Sequence, residues 1–72
     1  MLMNIEWEDG FKIHVSVDAQ GDAVIAANRE GLLSLAKQLM VLADETDGAH
    51  IHYDEYNSLE QGSREMIIQK LP

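Results

Sequence analysis

The segment His50-Ile51-His52-Tyr53-Asp54 holds the residue types best suited to chemistry in this chain. Two histidines and an aspartate at even spacing are zinc-ligand types. Residues two apart on a strand share a face, about 6.5–7 Å apart at Cα, so two imidazoles there can converge on one ion. Asp54 would stand about 13 Å from His50 on a straight strand and could join only if the chain turns after Tyr53. His14 would supply a third ligand only if the strand order brought its own strand alongside. The alternative is a pair of surface histidines on a solvated face. Other arrangements are weaker still. Ser58 and Ser63 lack a strand–turn–helix elbow, and Gly31, Gly48 and Gly62 are isolated and form no phosphate loop. No cofactor is implied, and the expected class is not an enzyme.

The elements around that segment can be read from period and punctuation. Met3, Ile5 and Trp7 alternate with polar residues, as in a half-buried strand. Asp9-Gly10 reads as a hairpin turn. Phe11, Ile13, Val15 and Val17 alternate as a second strand, Ala19-Gln-Gly-Asp22 is a turn, and Ala23 to Ala27 a short third strand. Asn28 is a good helix N-cap. Beyond it Leu32, Leu35, Ala36, Leu39, Leu42 and Ala43 fall at helical spacing as one apolar stripe, with Ser34, Lys37 and Gln38 off it. Burial of each leucine would contribute about 1.5–3 kcal/mol, and Leu35→Ala or Leu39→Ala would cost roughly 2–5 kcal/mol. The helix should end near Asp44, with Gly48 available as a terminator. Ala49 to Asp54 is a fourth strand, Glu55 to Ser63 a loop, and Arg64 to Leu71 a fifth strand. The expected fold is α+β, β-β-β-α-β-β, an antiparallel or mixed sheet with one helix packed on one face, in a single domain over residues 1–72.

Composition narrows the partners. Thirteen acids against five bases give a formal net charge of −8. Such a field repels nucleic acid and anionic membranes and steers a basic partner inward. There is no cysteine, so disulfides and thiolate metal sites are excluded. A core this small contributes little net stability, so a protein partner or a homodimer is expected. The N-terminus lacks the pattern of a secretory signal and no apolar run is long enough for a membrane span; a cytoplasmic location is expected.

Asp44, Glu45 and Asp47 crowd the helix C-terminus, where the macrodipole disfavours negative charge. They are either a solvated loop or an acidic knob kept for a basic partner. Tyr56, beside Asp54, Glu55 and Glu60, is the aromatic best placed for an interface. Trp7, Tyr53 and Met66 are expected in the core.

Two resemblances bear on these residues. His50-x-His52-x-Asp54 resembles the His-x-His-x-Asp-His signature of metallo-β-lactamase-type hydrolases at three positions, with Glu55 where the next histidine would stand. The second is broader. Ala27-Asn-Arg-Glu-Gly-Leu-Leu-Ser-Leu-Ala-Lys-Gln-Leu39, the His-Ile-His-Tyr-Asp strand, Leu59, Gly62-Ser63 and Met66-Ile-Ile together resemble immunity protein family 32 of bacterial polymorphic toxin systems. This likeness covers roughly the last two-thirds of the chain. It implies a cytoplasmic protein that neutralises a toxin domain by binding it. Nuclease toxins are basic around their active sites, which suits a negative inhibitor. The residues assigned to partner binding are His50, His52, Asp54, Glu55 and Tyr56, with Asp44, Glu45 and Asp47 as a second patch. The alternatives are a metal-binding domain or metal-dependent enzyme using His50 and His52, and a homodimer joined through a sheet edge.

Overall fold

The strongest alternation in the sequence forms a hairpin. In the computed structural model, which describes residues 4–72, β1 (Ile13–Val17) pairs antiparallel with β2 (Ala23–Ala27), Val15 opposite Ile25. Asp18 closes the turn: its Oδ1 accepts from the Gln20 and Asp22 N–H groups at 2.9 Å, and Gly21 takes the positive φ of 85° that the reversal needs. A second antiparallel pair joins β3 (His50–Tyr53) to β4 (Met66–Gln69), with Ile51 opposite Ile68. Between them runs α1 (Arg29–Ala43). The core is Ile13, Val15, Leu35, Leu42, Ile51, Tyr53 and Leu59, flanked by Ile5, Trp7, Phe11, Met66 and Ile68. The α+β class and the single helix stand as expected.

Five strands were expected and four form among the described residues. Met3 lies outside those residues, and Asn4 to Glu8 makes no ladder. The Asp9-Gly10 turn does form, with the Phe11 N–H donating to the Glu8 carbonyl at 3.2 Å and Gly10 at φ 80°. The segment before it docks on the helix instead of on β1. The Glu8 N–H donates to Ser34 Oγ and Gln38 Nε2 to the Glu6 carbonyl, both at 2.8 Å. The reason is competition for β1. One edge of that strand bonds β2. The other is taken by the loop between β3 and β4, whose Glu60 and Arg64 N–H groups donate to the Ile13 and Val15 carbonyls at 2.8 and 2.7 Å. The single expected sheet is therefore two ladders bridged by a loop.

Asn28 starts the helix as expected. Its Oδ1 accepts from the Gly31 N–H at 2.8 Å and also from the Lys12 N–H at 3.0 Å, while Nδ2 donates to the Gly10 carbonyl at 2.9 Å. One side chain thus caps α1 and ties it to the entry of β1. The buried face of the helix is a correction. It comprises Gly31, Ser34, Leu35, Gln38 and Leu42, rotated by roughly a quarter turn from the all-apolar stripe, given 3.6 residues per turn. Leu32 and Leu39 are 55% and 43% exposed, so Leu39→Ala does not carry the core-sized cost expected of it. Polar Ser34 and Gln38 turn inward because the Asn4–Glu8 segment must find hydrogen-bond partners on this face.

The acidic helix end is also explained by tertiary structure. Its last turn holds no base, and the helix stops at Ala43 with Asp44 as C-cap. Lys70, from just beyond β4, reaches back so that Nζ donates to the carbonyls of Ala43 and Glu45 at 2.8 and 2.7 Å. An ammonium at the negative end of the dipole offsets the local acids. Lys70→Met should lower stability by about 1–2 kcal/mol, read from urea unfolding, by removing two charge-assisted bonds and the dipole partner. Gly48 does not terminate the helix; it opens β3, at φ 89° with its N–H on the Lys70 carbonyl.

Candidate functional site

The strand period decides which side chains of β3 can meet a partner. Ile51 and Tyr53 point into the core, so His50 and His52 point out. On that outer face His50 lies opposite Gln69 and His52 opposite Ile67, which is also exposed. The two imidazoles do not converge on one point. His50 Nδ1 lies 3.4 Å from the Gly48 carbonyl. His52 Nε2 instead lies 3.6 Å from Glu65 Oε2, and His52, Asp54 and Glu65 each bring one ligand atom within 4.8 Å of the others. Glu65 is a residue that sequence reasoning missed; only the β3–β4 register brings it beside His52. Three ligand atoms on solvent-facing side chains are one short of a closed zinc set. His14 belongs to the other ladder, so the sheet order does not bring it beside His50 and His52 as a third ligand.

Asp54, Glu55 and Tyr56 form the turn that leaves β3, and the turn is braced from several directions. Asp54 Oδ1 accepts from the N–H groups of Tyr56 and Asn57 at 2.9 and 3.0 Å, an Asx arrangement. The Asp54 carbonyl accepts from Ser58 and Leu59 at 3.0 and 2.8 Å. Asn57 Nδ2 donates to the His52 carbonyl at 2.9 Å, and Glu55 Oε2 accepts from the Gly62 N–H at 3.1 Å. Leu59 anchors the far side in the core. The carboxylates of Asp54 and Glu55 therefore hold the loop as well as charging it. Tyr56 is held outward from this frame at 98% exposure.

Asp44, Glu45 and Asp47 stand at the opposite end of β3, a four-residue strand about 13 Å long. They do not merge with the Tyr56 turn into one patch, and Lys70 offsets part of their charge. The remaining ion pair with short geometry, Lys37 Nζ to Glu8 Oε1 at 2.7 Å, clips the N-terminal segment to α1. Each partner favours the other's charged form: the hydrogen bond and the attraction lower the Glu8 carboxyl and raise the Lys37 ammonium. One open hollow of about 420 Å³ is lined by Trp7, Glu8, Asp9, Arg29, Glu30 and Leu33 and shares no residue with the Tyr56 turn.

An exposed aromatic on a rigid acidic turn, with an outward histidine face beside it, defines a small α+β domain suited to surface contact. The family model for Immunity protein 32 matches residues 22–71, and the chain belongs to that family. No curated protein and no solved structure gives a match. The family match begins at the turn into β2 and takes in every segment on which the resemblance read from the sequence rests, and it points to a toxin-neutralising role exercised by binding a protein.

Proposed function

We propose that this chain is a non-enzymatic cytoplasmic inhibitor that binds a basic, nuclease-like toxin domain through the turn carrying Asp54, Glu55 and Tyr56, with His50 and His52 alongside. The observation that carries the reading is the fully presented Tyr56 on a turn whose backbone is held by five hydrogen bonds from Asp54, Asn57 and Glu55. A tyrosine on a held backbone has only two side-chain torsions to fix on docking, and it fills a pocket well. The net charge of −8 supplies the steering. A toxin that grips nucleic acid must present cationic surface, so inhibitor and target complement one another. The patch at Asp44, Glu45 and Asp47 contributes to the long-range field rather than to the same contact.

The toxin is identified by pull-down with the tagged chain, and binding is then followed with the purified toxin by stopped flow at several salt concentrations. Tyr56→Ala should weaken affinity by about 30-fold or more, as expected for a hot-spot aromatic worth at least ~2 kcal/mol. Its thermal midpoint should not move, because the side chain is almost wholly exposed. Asp54→Asn with Glu55→Gln should slow association and flatten its salt dependence while keeping the oxygens that brace the turn. Lysine at these positions would also remove those acceptors, so the amides isolate charge more cleanly. Wild-type kinetics in both variants would eliminate this turn as the docking site.

A further inference from the structure

The outer edge of β2 carries none of the usual defences of an edge strand. In an antiparallel ladder, neighbouring residues alternate between bonding the partner strand and facing away from it. The Asn28 N–H donates to the Lys12 carbonyl and the Asp18 N–H to the Asp22 carbonyl, at 3.1 and 2.9 Å. Residues 22, 24, 26 and 28 therefore use their backbone groups on β1. Ala23, Ile25 and Ala27 turn theirs to the open edge, which no other strand among the described residues pairs. Edge strands are ordinarily protected by charge, proline or a bulge. Ala23-Val-Ile-Ala-Ala27 has no charge and no proline, and its register with β1 is unbroken. Val24 and Ile25 are 39% and 46% exposed.

We propose that two copies of this chain pair through β2, antiparallel about a twofold axis at Ile25. The register is self-complementary. Ile25 meets Ile25 as a hydrogen-bonded pair, and Ala23 and Ala27 exchange bonds on either side, so every open N–H and C=O of the edge is met. Val24 of each copy falls opposite Ala26 of the other on the second face. The ends match in charge as well. Asn28 remains extended at φ −76° and ψ 179°, so the exposed Asp22 end of one copy lies beside the exposed Arg29 end of the other, acid to base. A closed isologous contact of this kind ends at two copies. The general repulsion between two −8 chains is screened beyond about 8 Å at physiological salt, and no charged residue lies inside the pairing. A basic toxin would find nothing on this uncharged strand to complement its charge, so a second copy is the better occupant. The surface is separate from the Tyr56 turn, and the inference does not rest on the toxin-binding reading.

Light scattering and amide hydrogen exchange on the full chain, from low to high micromolar concentration, test this. The mass should rise toward twice the 8.1 kDa of one chain. In step with it, the amides of Ala23, Ile25 and Ala27 should gain protection, whereas those of Val24 and Ala26 are protected throughout. Ile25→Pro removes an N–H that the single chain does not use, so it should stay folded by circular dichroism and remain monomeric. A mass that stays at one chain, a dimer in which the three edge amides exchange freely, or an Ile25→Pro chain that dimerises normally would each overturn the proposal. Protection of those amides only after addition of the purified toxin would also overturn it, and would assign the edge to the toxin.

Discussion

Gly31→Ala should remove much of the stability of this chain. Helix propensity alone argues the other way, since alanine is favoured over glycine inside a helix by about 1 kcal/mol. Space decides against it. A Cβ on Gly31 would stand 2.5 Å from the Lys12 carbonyl oxygen, 2.9 Å from Ile13 Cγ1 and 3.1 Å from Ala27 Cβ. The first of these is backbone, held by the Asn28 N–H, and Ile13 is fully buried. No flexible side-chain end is available to yield, so α1 must lift from the hairpin and loosen the bonds that Asn28 makes to Gly10 and Lys12. Such overpacking costs roughly 1–3 kcal/mol or more, and a core this small supplies only about 3–5 kcal/mol in total. With the propensity gain subtracted, the expected net loss is about 2 kcal/mol or more, measured as a shift of the urea midpoint. An unchanged or raised midpoint would mean that the hairpin and helix are not in this contact.

The second large effect is expected at Gln38. Its amide is almost wholly buried and joins three parts of the chain: Oε1 accepts from the Tyr53 hydroxyl at 2.8 Å and Nε2 donates to the Glu6 carbonyl at 2.8 Å. Gln38→Met nearly preserves volume but strands the buried Tyr53 hydroxyl and takes the partner from the part-buried Glu6 carbonyl. Each such group costs about 1–3 kcal/mol, so a loss of about 2–4 kcal/mol is expected. Adding Tyr53→Phe to Gln38→Met removes one stranded group and should recover about 1 kcal/mol, a coupling that a double-mutant cycle reads directly. Strict additivity of the two substitutions would argue that the bond contributes nothing. The same tyrosine gives an alkaline signature. Burial pushes its hydroxyl up to about 12 from 10.0. The fold therefore favours the neutral phenol: this contribution is intact below pH ~10 and is lost progressively as pH rises toward ~12. Unfolding midpoints measured across that range should fall, and less steeply in Tyr53→Phe.

The clean alternation of Ile13, Val15 and Val17, the turns at Gly10 and Gly21, and the Asn28 cap were all legible from residue order. So were the ends of α1 and the inward Ile51 and Tyr53, because strand period and capping are local properties of the backbone. The exposed position of Tyr56 followed from its polar, breaker-rich surroundings. The apolar stripe on the helix misled. Leu32 and Leu39 share a period with Leu35 and Leu42, and nothing in the spacing reveals that Gly31, Ser34 and Gln38 take the buried side.

That choice depends on two distant events. The hairpin approaches α1 so closely that only glycine fits, and the segment Asn4–Glu8 needs donors and acceptors because both edges of β1 are already occupied. Glu65 beside His52 and Lys70 beneath the helix end are hidden for the same reason. They arise from the register of β3 against β4, set by cross-strand packing between residues far apart in the chain. Local order thus settled most of the kinds of element, the expected strand through Ile5 and Trp7 apart, and the limits of α1. Competition for shared backbone edges, which exists only once the elements meet, settled which faces are buried and which acids are left to greet a partner.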